Sequence, residues 1–590
     1  MNDRRVAWTV RGLLALPFVV ALVALARTHW VPVLDLAMTE LRVRDVFGPH
    51  TPLIGLPGRI GNFPDQGSHP GPLSFYLLWP VYRVFGGSAY GLLAGAAVIN
   101  VAAAWTAVWI AGRRGGRTLV LGIGAVLMVL LAWFGASVLT QPWNPYLPLV
   151  SFVAVLLATW SVLDGDHLML VPLVGFSTLC AQTHVPYLAL CVVLCAVAFG
   201  TVAWRWWRAR EVDRASLRSA LWAVGLGALL WLPVFVDEVR RDPGNITMLR
   251  RHFLSPPEDP VGMGTGVKTV LAHFDVTRVL TGTVTRSDDH LATLDDLAGG
   301  RWGIGLVVLV AWLVAFVAAV RWREQRLVRL HVVVAVGTAV AVMSTGRIFG
   351  KVWYYLTLWA WAISLLAVVA TVWTGVLWWR RREGRPLPLV RVAVAMGAVA
   401  GLFFVKDAVM VDPPEPRLSR SLDAVLDDTA AALDPDGVYA VVWNDAYYFG
   451  SQGYGLISEL ERRGFDARAY ETYRVPVTPH RITSPDRATA ELVLATGVNV
   501  AAWREREGAE EVAYFEPRSA EELAEYEGLH QEVVDELRAA GLDDLVEMVD
   551  TNLFGASLDP RLPTAIEQKM ARMLVLGQET AVFLAPPGTF

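Results

Sequence analysis

Cysteine, lysine and charge are all scarce in this chain. Its 590 residues include three cysteines, Cys180, Cys191 and Cys195. All three lie in apolar segments, which leaves no disulfide framework for any soluble part. Only 4 of the 51 basic residues are lysine. That reflects a bias towards Ala, Val, Gly and Arg and says nothing about function. Charged residues make up 18% of the sequence against 54% hydrophobic, and the mean hydropathy is +0.42. A wholly soluble protein of this length is excluded.

The small net charge of −4 hides a split near residue 411. From Asp412 to Phe590 there are 15 Lys and Arg against 33 Asp and Glu, and the preceding residues carry 36 against 22. The sequence therefore reads as two objects in series. Residues 1–411 form a basic, hydrophobic membrane part with a first outer loop at 28–87, and 412–590 form an acidic, soluble α/β domain. An acidic domain is a poor partner for nucleic acid, whose phosphates need cations.

A helix needs about 20 apolar residues to cross a bilayer. Eleven stretches approach that size: 8–27, 88–111, 118–136, 146–163, 168–183, 185–204, 219–236, 302–320, 328–345, 353–378 and 389–410. The expected fold is thus a polytopic α-helical membrane protein of about eleven spans with a C-terminal extracytoplasmic α/β domain. Arginine collects at Arg4 and Arg5, at Arg113, Arg114 and Arg117, at Arg205 to Arg214, at Arg321 to Arg329, and at Arg380 to Arg382. These clusters occupy alternate connections. By the positive-inside rule the N-terminus is cytoplasmic and the C-terminal domain lies outside the cytoplasmic membrane. The turn Asp164 to His167 should share the inner face but carries no cationic excess of its own.

The spans are nearly free of ionisable groups, which argues against a proton-coupled pump. Polarity gathers instead at the outer ends and in the first outer loop. There, the stretch after Pro32 has no helix breaker before Gly48. It places Asp35, Thr39, Arg42 and Asp45 at helical spacing, the pattern expected of an interfacial amphipathic helix. Asp35 stands just beyond the first span beside Leu34 and Leu36, where partial desolvation would make it a better base. A solvated loop aspartate is the other reading of the same residue.

Three landmarks together resemble the GT-C superfamily of membrane glycosyltransferases, nearest to protein O-mannosyltransferases and lipid A aminoarabinose transferases. The first is Asp35 in VLDLAMTELRVRD. The second is HPGPLSFYLLWPVYRVFG, from His69 to Gly86. The third is GRIFGKVWYYLTLWAWAISLL, from Gly346. The resemblance implies an inverting transfer from a polyprenyl-phosphate-linked sugar to a glycan, lipid or protein acceptor, with Asp35 as general base. It implies donor-phosphate ligands at Arg347, Lys351 and His69, the last standing where the family carries lysine. Some relatives bind a divalent cation with paired acids. Here Leu36 follows Asp35 and the next acid is Glu40, so no cofactor is assigned.

Substrate-binding candidates complete the set. QPWNPY contributes Trp143, Asn144 and Tyr146, an aromatic surface with an amide suited to a sugar ring. CAQTHVPY contributes Gln182 and His184, where irregular backbone must be enclosed in protein or face a cavity. Arg42, Tyr354 and Tyr355 are added from the first and third landmarks. Interfacial anchoring of the aromatics and snorkelling of Arg347 and Lys351 are the competing readings. In the C-terminal part, DGVYAVVWN, DARAYETY and ELVLATGVNVAAW read as strands, and GSQGYGLISELERRG and SAEELAEYEGLHQEVVDELRAAG as helices. The turn Trp443 to Gly455 lacks the lysine of a phosphate loop. Two other functions stay in competition with a transferase: a lipid or glycan flippase, and a non-catalytic anchor for an outer binding domain.

Overall fold

Glycine decides how the longest helix divides. Tyr90–Thr140 runs for 51 residues and contains two of the expected spans. Gly115 (φ −148°, ψ 20°) and Gly116 (φ 55°) break it between them. The positive φ at Gly116 is one that a residue with a Cβ would adopt only under strain. A second break at Gly135 leaves the Ala136 amide to donate to the Asp407 carboxylate at 2.6 Å. A computed structural model describes residues 3–256, 258–278, 302–384, 389–447 and 451–590.

Among the described residues, eight helices are long and apolar enough to cross a membrane. All eleven expected stretches fall on apolar helices. Tyr90–Thr140 accounts for two of them, and the shorter Leu149–Leu163 and His167–Thr183 account for two more. Residues 279–301, between the expected spans 219–236 and 302–320, lie outside the described residues.

Contacts divide the chain into two compact units, and the first comprises Met1–Arg27, Thr51–Gly61 and Gly67–Asp412. In it Asp3–Leu25 and Leu389–Val409 pack against Tyr90–Thr140. The turn after Leu149–Leu163, which carries no cations of its own, collects them from elsewhere in the chain. Asp164 accepts from Arg114 at 2.9 Å, from Arg326 at 3.1 Å and from Arg329. Asp166 takes a two-pronged contact from Arg113 at 2.6 and 3.0 Å. Arg205 donates to the carbonyls of Val162 and Leu163, and Arg381 pairs with Glu324 at 2.6 Å. The arginines of four separate connections therefore meet at one end of this unit.

The second unit comprises Thr28–His50, Asn62–Gln66 and Pro413–Phe590. It thus takes in two pieces of the first loop. Its sheet has the order β2-β1-β3-β5-β4, with β1 Val438–Asn444, β2 Asp466–Arg468, β3 Ala490–Thr496, β4 Glu510–Phe515 and β5 Thr580–Ala585. β1 runs parallel to β2 and β3, while β5 is antiparallel to both β3 and β4. Val442, Val493, Trp503 and Phe583 form the core on one side. Ala520–Ala539 begins with the capping box Ser519 and Glu522.

Two strand expectations shorten. DARAYETY forms a strand only over Asp466–Arg468. ELVLATGVNVAAW stops being a strand at Gly497 (φ 55°) and continues as the helix Val498–Arg504. Neither β4 nor β5 was expected from the sequence.

Candidate functional site

Asp35 is held by a chain of contacts within the second unit. It lies in the first turn of Leu34–Asp45, where the helix N-terminus favours an anion. Leu34 before it adopts φ 51°, a costly conformation for a branched side chain. Its N–H donates to the Ser451 carbonyl at 2.8 Å. Ser451 in turn donates its own N–H to Asp445 at 3.1 Å, and Asp445 also accepts from the Thr496 hydroxyl at 2.8 Å. The ends of β1 and β3 thus fix the residue that presents Asp35. The residue is half-buried and close enough to Arg42 and Tyr454 to act electrostatically on the guanidinium of one and the hydroxyl of the other. Burial, then the neighbouring Tyr473 and Asp35, hold the Tyr454 hydroxyl well above its ordinary value.

The rest of this helix differs from the interfacial amphipathic helix expected. Every residue from Leu36 to Val43 is buried. Its polar side chains tolerate burial because each is answered within the unit. Arg42 donates to the carbonyls of Met38, Pro476 and Val475 at 3.1, 2.8 and 2.8 Å. Burial, then Arg481, lowers it to about 10, so it stays charged at neutral pH. Glu40 is fully buried against Arg462, Arg44 and the Ser458 hydroxyl. Asp45 takes Arg481 in a fork at 2.7 and 2.8 Å. Burial alone would raise Asp45, but hydrogen bonds from His480 and Arg481 outweigh it and the net shift is downward.

Arg42 is therefore a clamp on the segment 475–476. Its guanidinium is occupied by backbone. The acids of this helix do not fit a divalent cation either, since Glu40, next after Asp35, is neutralised by two arginines. Among the described residues no group of three or more His, Cys, Asp or Glu could hold a metal ion.

In the first unit, four loops that are distant in sequence meet. Asn144 contacts the His69 ring at Nε2, 2.7 Å away, and the Val185 N–H donates to His69 Nδ1 at 3.3 Å. The Asn144 atom facing Nε2 is the amide nitrogen Nδ2; a neutral imidazole accepts at one nitrogen only, so the ring tautomer decides which of the two contacts is a hydrogen bond. Burial pushes His69 down to about 4, which makes the neutral ring the relevant form. Each ring nitrogen faces an N–H of the protein, from Asn144 and from Val185. The other polar atom of the Asn144 amide is then buried with no partner among the described residues.

Around that pair stand His184, whose ring centre is 5.2 Å from His69, and Tyr355, 6.4 Å from His184. Trp143 packs 5.0 Å from Tyr355 and 4.7 Å from Tyr146. His184 Nδ1 and the Tyr187 hydroxyl are also buried and unpartnered among the described residues. Such orphaned polar atoms are expensive in an apolar surrounding.

The remaining candidates are placed differently. Gln182 accepts from the Leu73 N–H at 3.2 Å and donates to the Leu230 carbonyl at 2.9 Å, which fixes the start of Leu73–Val84. Gly71 is required beside it, because a Cβ there would lie 2.4 Å from the Gln182 amide. The Tyr354 hydroxyl accepts from Trp361 Nε1 at 2.7 Å, and its ring stacks on His273. Tyr354 thus packs into a different cluster from its neighbour Tyr355. Lys351 lies 4.9 Å from the Trp353 ring and Arg59 approaches the same ring at 5.8 Å. Arg347 is exposed. Arg59 and Tyr187 were not singled out in the sequence. The only signal for Arg59 was a lone cation in the glycine- and proline-rich run GLPGRIGN.

The arrangement offers a buried, uncharged hydrogen-bonding centre between aromatic rings, with cations one loop away. It suits a neutral, hydroxyl-rich group attached to an anion. No protein-family model matches the sequence, and no curated protein matches it. Solved structures do. The crystal structure of ArnT from Cupriavidus metallidurans bound to undecaprenyl phosphate is 14% identical over 86% of this chain and 96% of that one, with a TM-score of 0.50. The apo form of the same protein gives 13% identity over the same shares and a TM-score of 0.48. The archaeal oligosaccharyltransferase AglB from Archaeoglobus fulgidus, in complex with an inhibitory peptide and a dolichol-phosphate, is 11% identical over 83% of this chain and 69% of that one, at a TM-score of 0.40. The chain has the fold of ArnT.

Proposed function

We propose that the protein is a membrane glycosyltransferase. It moves a sugar from a polyprenyl phosphate to a hydroxyl of an envelope glycan, lipid or protein, at the outer face of the cytoplasmic membrane. The observation that carries this reading is the pair of buried, unpartnered polar atoms on Asn144 and His184, around the His69 ring, within a chain that has the ArnT fold. The ArnT structure contains undecaprenyl phosphate, and a carrier of that class is the donor assigned here. Orientation follows from the arginines: the end where they meet is cytoplasmic by the positive-inside rule. Asn144 and Asp164 flank opposite ends of Leu149–Leu163, so the polar cluster belongs to the outer side.

In this mechanism the acceptor hydroxyl attacks the anomeric carbon directly. Its proton passes to Asp35 as the new C–O bond forms. The bond from the anomeric carbon to the phosphate oxygen breaks, its electron pair stays on the phosphate, and the configuration inverts. Arg347 and Lys351, joined by Arg59, stabilise the departing phosphate, an electrostatic effect that often exceeds the base's contribution. Asn144, beside His69, and Trp143 with Tyr355 hold the sugar.

The test is Asp35→Asn, read as turnover with a polyprenyl-phosphate sugar. Loss of a general base lowers turnover by at least about 10²-fold, while donor binding and melting stay near wild type. Near-normal transfer by this variant removes Asp35 from the mechanism. Glu40→Gln and Asp45→Asn are not neutral comparisons, since both break buried ion pairs and act through the folding of the second unit.

A further inference from the structure

The arginine-rich end of the first unit carries more positive charge than its acids can balance. The guanidiniums of Arg113, Arg114, Arg205, Arg326 and Arg329 surround the carboxylates of Asp164 and Asp166, each of which is only 5–6% exposed. Nearby acids do not close the gap. Asp213, which faces His167, caps the amides of Ala215 and Ser216, and Glu324 pairs with Arg381.

The excess is accessible. Arg326 is 50% exposed and Arg329 34%. Arg326 Nη2 and Arg329 Nε and Nη2 have no hydrogen-bond partner among the described residues. Arg329 also stands close enough to Arg205 for the two charges to repel. Asp164 also acts on Arg205, but the repulsion from Arg329 is the larger of the two, so a further anion beside these arginines would relieve it.

The depth of this cluster identifies the anion. Arg113 lies 5.6 Å from the Trp109 ring, Arg208 5.3 Å from Trp204 and Arg381 5.0 Å from Trp322. Tryptophan paired with arginine at the ends of apolar helices marks headgroup level. Basic pockets between membrane helices at that level suit lipid phosphates. We propose that Arg326 and Arg329, backed by Arg205, hold the phosphate of an anionic phospholipid headgroup at this end of the protein. The phosphate oxygens accept the unpartnered N–H groups, and the acyl chains lie along the helix surfaces. This site is separate from the one assigned to the sugar donor.

The test uses the full chain in nanodiscs of phosphatidylcholine, with and without phosphatidylglycerol. Retained lipid is read by native mass spectrometry and stability by thermal melting. Wild type should retain phosphatidylglycerol at least tenfold over phosphatidylcholine and melt higher when it is present. Arg326→Gln with Arg329→Gln should lose that preference. Asp164→Asn, which unmasks guanidinium charge, should melt lower in neutral lipid and recover in anionic lipid. It supplies the answer even if the double variant fails to fold, because a purely structural role leaves the same deficit in both lipids. Equal retention of the two lipids by wild type overturns the proposal. So does a preference unchanged in the arginine double variant. Inorganic phosphate that stabilises the protein in phosphatidylcholine discs as well as phosphatidylglycerol does assigns the site to a soluble anion and overturns the lipid.

Discussion

Leu149–Leu163 is a 15-residue helix, about 22 Å long, and its two ends solve the problem of polarity differently. At the Asp164 end, the carboxylates of Asp164 and Asp166 are fully answered, by arginines drawn from two other connections. At the Asn144 end the groups are neutral, and several of their hydrogen-bonding atoms are left unanswered. Polar residues whose capacity is used up inside the fold build it, whereas those with capacity to spare are available to a ligand. The same distinction separates Arg42, spent on three carbonyls, from Asn144, with half its amide in reserve.

The contrast breaks most easily at the ionic end. Asp164→Ala strands three arginines and should cost about 3–5 kcal/mol in unfolding measurements, with little change in turnover per folded molecule. A loss of turnover without loss of stability would reverse the assignment of the two ends. Next comes the His69 ring, whose folded value of about 4 lies below the ordinary 6.5. The unfolded chain then binds the extra proton first. Its contribution is fully present above about 6.5 and is lost as the pH falls towards about 4, by up to about 3 kcal/mol. Melting curves of wild type should fall through that window, and those of His69→Gln should fall less; parallel curves would refute the burial argument.

A smaller effect sharpens the neutral end. His184→Phe removes an orphaned nitrogen, so melting should hold or rise while transfer efficiency drops roughly two- to tenfold, the worth of a hydrogen bond to a neutral hydroxyl. Unchanged transfer would return His184 to packing. The smallest effect belongs to Asp65→Asn, whose exposed pair with Arg474 should be worth less than about 0.5 kcal/mol in a denaturant titration.

The sequence disclosed the parts that depend on local pattern. Apolar runs located the membrane helices, and the helical pattern of SAEELAEYEGLHQEVVDELRAAG marked Ala520–Ala539. The loops bearing His69, Asn144, His184 and Tyr355 were each visible by residue type, but their meeting was not. What stayed hidden depends on distant partners. The turn at Asp164 looks short of cations because its arginines come from positions 50 to 165 residues away. Leu34–Asp45 looks interfacial because Glu40, Arg42 and Asp45 are polar, and only Arg462, Pro476 and Arg481 explain how they can be buried. β4 and β5 escaped notice because Glu510–Phe515 is short and charged at its start, and Thr580–Ala585 gains its meaning from pairing with β3. Arg59 is marked locally only as a lone cation in GLPGRIGN.

The long reach of Leu34–Asp45 also sets a timetable for biogenesis. Glu40 and Arg462 are 422 residues apart. At roughly 5–20 residues per second, a ribosome needs about 20 to 80 s to make the second after the first. Throughout that interval a segment carrying Asp35, Glu40, Arg42 and Asp45 has left the exit tunnel without the strands and helices that enclose it, while the membrane helices are being inserted. Its low apolar content, which misleads a reading of its final position, keeps it soluble while it waits.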